Sequence, residues 1–109
     1  MTLAPESLKS EISAAESSLD ELGERERRLW DRVCISPDRW GQSQYPIEDS
    51  FWVIAVMGTR CLYHNPIEHG WGWGRFSEWG TISEFHWQQD EIQHVIAQTL
   101  IGIDSGGQG

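Results

Sequence analysis

Apolar positions in the first third of the chain recur at alternating steps of four and three. Leu8, Ile12, Ala15, Leu19, Leu22, Leu29 and Val33 hold this spacing, with Glu26 at the one polar step. The pattern is the seam of a heptad repeat and predicts helix through residues 1–33. Pro5 suits a first turn, and Glu6 and Glu11 lie toward the positive end of the helix dipole. Arg25, Arg27, Arg28 and Arg32 crowd the negative end. Gly23 interrupts the run, and Ser18 with Glu21 offers a capping box for a second helix beyond it. A stripe two positions in seven wide suits a helix paired with another helix. It therefore predicts a homodimer held by Leu8, Ile12, Leu19, Leu22 and Leu29, the alternative being a helix packed on its own domain.

Periodicity changes after residue 50. Phe51–Met57 is apolar at both parities, as a strand covered on both faces would be. Gly58-Thr59 fits a two-residue turn, so Met57 faces Arg60 and Arg60–Asn65 returns as a strand that Pro66 ends. That register groups Trp52, Ile54, Val56, Cys61 and Tyr63 on one face, with Phe51, Val53, Ala55, Met57, Leu62 and His64 on the other. A second hairpin follows. Trp71–Phe76 alternates large residues with glycine, Ser77–Gly80 turns, and Thr81–Trp87 comes back. Pairing Phe76 with Thr81 sets Gly72 under Phe85, Trp73 opposite Glu84 and Trp71 opposite His86. A helix from about Gln89 carries Ile92, Val95, Ile96, Thr99 and Leu100 on one stripe and stops at Gly102. Residues 34–50, with Pro37, Gly41 and Pro46, read as a connection, and residues 103–109 as a flexible tail. The expected class is α+β: an N-terminal heptad-patterned helix, an antiparallel sheet of about four strands, and a C-terminal amphipathic helix, with the helices on one side. The sheet and last helix span residues 51–102.

At 109 residues the chain is about one domain. No apolar run approaches the roughly 20 residues of a membrane helix, and the opening residues lack the pattern of a secretory signal. Two cysteines, Cys34 and Cys61, are too few for a disulfide framework, so the expected setting is cytoplasmic. The balance of 17 acidic and 8 basic residues gives a net charge of −9, which argues against nucleic acid as a partner. It favours encounter with a basic protein partner.

The candidate chemistry is sparse. His64, Glu68 and His69 lie close together, but Pro66 falls among them and neither cysteine has a cysteine neighbour, so no metal is expected. No glycine-framed serine or phosphate-cradling loop is present, and no cofactor is expected. The seven tryptophans stand out. Trp52 and Trp87 read as core. Trp71, Trp73 and Arg75, with Glu84 and His86 across the strand and Glu78 at the rim, read as a partner-binding surface, because hot spots favour Trp, Tyr and Arg. The leading expectation is a non-catalytic interaction module, of which an immunity-type inhibitor of a basic protein is one form. The alternative is a carbohydrate- or metabolite-binding protein, or a small hydrolase, using Trp71, Trp73, Glu84 and His86.

Overall fold

A computed structural model describes residues 2–46, 49–86 and 90–104. Its elements are α1 (Pro5–Leu22), α2 (Glu24–Val33), β1 (Cys34–Gln42), β2 (Phe51–Met57), β3 (Arg60–Asn65), β4 (Gly70–Arg75), β5 (Thr81–Ile82) and α3 (Ile92–Asp104). The α+β class holds, with five strands where four were expected.

The N-terminal segment is two helices. Gly23 adopts φ +147°, a conformation side chains resist, and its N–H bonds the Leu19 carbonyl to end α1. No side chain caps α2, so the Ser18–Glu21 capping box does not form. The helices fold together around Arg27, which reaches Asp20 at 3.3 Å and Asp31 at 3.1 Å. The Trp30 indole N–H donates to Glu16 Oε2 at 2.9 Å.

This arrangement divides the five residues expected on the seam. Leu8 and Leu19 are buried in the chain's own core, with Ile12 and Leu29 packed against them. Leu22 alone of the five is exposed. Because Gly23 breaks the helix, the stripe does not run as one straight seam, and its buried members pack within the chain's own core.

The strand order is β4-β3-β2-β1-β5, antiparallel throughout except for the parallel pair β1–β5. Met57 does face Arg60 across the Gly58-Thr59 turn, and β3 does end before Pro66. The expected face assignment fails halfway along β2. Val53 pairs with Tyr63 but Ala55 with Leu62, so Ile54 and Ala55 together oppose one residue. A bulge of this kind flips the alternation. Trp52, Ile54, Ala55 and Leu62 consequently share the helix-facing core, and Phe51, Val53, Cys61 and Tyr63 share the other.

β1 occupies most of the segment read as a connection. Its register slips between Cys34 and Asp38, which accommodates Pro37, and Trp40 beyond the slip is fully buried. Beyond β5 the chain leaves β1 and reaches Glu84, whose carbonyl accepts the Arg75 N–H at 2.8 Å. The sheet therefore curls until its two ends meet. Inside the curl Phe85 packs edge-on against Phe51 and Tyr63, which are tilted to each other, with ring centroids 5.0–6.0 Å apart. The returning segment pairs Arg75, not Trp73, with Glu84, a shift of two residues from the expected register. Trp71 bridges Asp90 instead of His86. Helix α3 runs past Gly102 to Asp104. Trp87, Gln89 and the remainder of the expected tail lie outside the described residues.

Two outcomes test this packing. Leu19→Ala should cost about 2–5 kcal/mol in urea denaturation and Leu22→Ala under about 0.5, with a Tm independent of concentration. A Tm that rises with concentration and falls in both variants would return the seam to an interchain role. At the closure, a Cβ on Gly74 would lie 2.8 Å from the Glu84 carbonyl oxygen and 3.1 Å from Ile82, whereas one on Gly41 meets nothing within 4 Å. Gly74→Ala should therefore lose about 1–3 kcal/mol while Gly41→Ala stays near neutral.

Candidate functional site

β4 places side chains of opposite character at its two ends. The β3–β4 turn is fixed by Asn65, whose Oδ1 accepts the N–H groups of Ile67 (2.9 Å) and Glu68 (3.1 Å). His69 closes the turn at φ +57°. The strand then presents Trp71, Trp73 and Arg75 on the face shared with Arg60, Leu62 and His64.

At the turn end, Trp71 is only 2% exposed, which corrects its expected place on the surface. Its indole N–H donates to Glu11 Oε1 at 3.1 Å, tying α1 over the strand. A cleft of about 200 Å³ opens beside it, lined by Glu11, Ser18, His69, Trp71, Asp90 and Glu91 among others, with no lysine or arginine among the described residues of its wall. The main-chain bridge from Trp71 N–H to the Asp90 carbonyl, 2.8 Å, brings the start of α3 to this cleft. Two carboxylates there also suit the positive end of the α3 dipole. Among the described residues no three His, Cys, Asp or Glu side chains converge as metal ligands.

Beneath the cleft lies His64, buried, with its ring 5.0 Å from Trp71 and 6.0 Å from His69. Burial first, and the neighbouring His69 second, push its pKa down to about 4. Among the described residues neither His64 Nδ1 nor Asn65 Nδ2 has a hydrogen-bond partner.

At the other end, a cavity of about 170 Å³ is lined by Arg60, Trp73, Gly74, Arg75, Glu84 and His86. Four of the six residues expected on a partner surface, Trp73, Arg75, Glu84 and His86, thus come together there. Trp73 is half-buried, and its N–H donates to Thr99 Oγ1 of α3 at 2.8 Å. His86 is held through its backbone: the Tyr63 hydroxyl donates to its carbonyl and accepts its N–H. Glu78 stands apart in the turn, exposed and bridged to Thr81. Another indole, Trp79, is 61% exposed and leans on Trp40 at 5.1 Å.

The thiols are poorly placed for nucleophilic work. Burial pushes Cys61 up to about 12, and partial desolvation with the nearby Asp31 raises Cys34. Sequence reasoning missed Glu11, Asp90, Glu91 and Arg60, and weighed His69 only as a metal ligand. Arg60 carried a usable signal, since pairing β3 with β4 across Asn65–Gly70 puts it opposite Arg75. The cleft carboxylates carried none, because two segments far apart in the chain supply them. Comparison with protein-family models, curated proteins and solved structures finds no match, so function must be argued from the chain's own chemistry.

The depressed His64 pKa makes a pH prediction. A histidine that stays neutral when folded but protonates when unfolded gives its full stabilisation above pH 6.5 and loses it as pH falls toward 4. Between pH 6.5 and 5 the wild type should lose about 2 kcal/mol more than His64→Gln in urea denaturation. Parallel pH profiles for the two proteins would show that His64 titrates normally.

Proposed function

We propose that this chain is a non-catalytic protein-interaction module that receives a basic side chain of its partner in the cleft between α1 and α3. The observation that carries the reading is the cleft wall. It sets Glu11, Asp90 and Glu91 around His69 and the Trp71 indole with no cation among them. Glu11 is oriented by the indole N–H, so one carboxylate is fixed in advance and loses little freedom on binding. A guanidinium or ammonium entering there meets charge-assisted acceptors in a partly enclosed site, where such bonds are stronger than on open surface. The overall charge of −9 draws basic partners in and repels polyanions.

The experiment compares two variants of equal charge. Binding of a fluorescent oligoarginine peptide would be measured for Glu11→Gln/Asp90→Asn/Glu91→Gln and for Glu6→Gln/Glu21→Gln/Glu78→Gln. The cleft variant should lose about tenfold or more in affinity, and the distal variant should mainly slow association. Equal losses would show that only net charge attracts the peptide and would overturn the cleft as the docking site.

A further inference from the structure

Arg60 and Arg75 are directly opposite one another on β3 and β4. Like charges in that position destabilise a sheet, and strand pairs normally avoid them. This chain has 8 basic residues and 17 acidic ones, so acidic neighbours are plentiful. Even so, among the described residues neither guanidinium has an ion-pair partner. Glu84 is next in the same cross-strand row, through its bridge with Arg75, and does not close on either arginine. A local rule is broken without compensation inside the fold, and such places are characteristically functional.

We infer that Arg60, Arg75 and Trp73 form a binding site for a small aromatic carboxylate, distinct from the acidic cleft at the opposite end of β4. Three features set the ligand class. Two guanidiniums provide the planar donor forks that match a carboxylate. With Glu84 beside them the row carries one net positive charge, which a monoanion balances and a dianion exceeds. The flank is the Trp73 ring, anchored at its N–H by Thr99 so that its face stays available to a flat apolar body. The cavity of about 170 Å³ is the size of about five or six water-sized groups, enough for a carboxylate and part of one ring. Its walls are preset. Gly74 lets the Glu84 backbone approach closely, and Tyr63 clamps the His86 peptide from both sides. A site held by main chain in this way needs little ordering on binding.

The test is an NMR titration of the full chain with benzoate, reading the Trp73 indole N–H and the Nε–H groups of Arg60 and Arg75. Saturable shifts at all three are expected. Benzamide, the uncharged analogue, should bind at least about tenfold more weakly, as should inorganic phosphate. Arg75→Gln should weaken benzoate binding by a similar factor, and Arg75→Lys, which keeps the charge but loses the fork, should fall between. Several results would overturn the inference: no saturable shift with benzoate, equal binding of benzamide, tighter binding of phosphate, or benzoate affinity unchanged in both Arg75→Gln and Arg60→Gln. None depends on the oligoarginine result, since Glu11, Asp90 and Glu91 are untouched.

Discussion

Gly74 leaves no room for a side chain, and most of the architecture follows from that contact. A Cβ there would run into the Glu84 carbonyl, Ile82 and Tyr63, and the next residue, Arg75, donates its N–H to that carbonyl, so β4 meets the segment that leaves β5. Closing the sheet at this seam encloses Phe51, Tyr63 and Phe85 on the inner face. The outer face is then free to carry a second core under three helices. A chain of this size is short of surface to bury, and a single sheet serving two cores raises the fraction it conceals. The same seam fixes the spacing of Arg75, Glu84 and His86, which are exposed where the two segments join.

Gly23 plays the corresponding part for the helices. It allows α2 to turn back so that the Trp30 indole meets Glu16 and the Arg27 guanidinium meets carboxylates on both helices. Those ion pairs are largely solvated and contribute little each. Their effect is orientation: α1 is laid across the Trp71 end of β4, with Glu11 on the indole and Leu8, Ala15 and Leu19 on the sheet.

Much of this was written in local pattern. The helix periods, the Gly58-Thr59 turn with its Met57–Arg60 register, and Pro66 as a strand end are all short-range signals, and each survives in the fold. What escaped was non-local. The bulge at Ile54–Ala55 has no marker in an all-apolar strand, because either parity buries equally well until the opposite core is known. β1 was hidden by Pro37, Asp38 and Gly41, breakers that an irregular strand tolerates when its register slips beside them. The heptad stripe was legible as a buried seam but silent about what buries it. For the candidate site, Trp73, Arg75, Glu84 and His86 were readable because strand alternation alone gathers them. The acidic cleft required knowing that α1 and the start of α3 meet over Trp71.

Trp71 and Trp73 make the point most sharply. They are two residues apart on one strand face, flanked by glycines, and equivalent to any reading of the alternation. Their surroundings are opposite in sign. Trp71 lies under α1 beside Glu11 and Asp90, whereas Trp73 opens toward Arg60 and Arg75. Four steps along the strand lead from Trp71 to Arg75, about 13 Å at ordinary strand rise, more than one screening length at physiological salt. Each end therefore acts on charged groups largely independently of the other. At the acidic end the buried His64, opposite Trp71, has its pKa pushed down to about 4 by burial, so it adds no positive charge there near neutral pH. An acidic protein that keeps two arginines with no ion-pair partner among the described residues at one end of such a strand has local electrostatics its net charge does not describe.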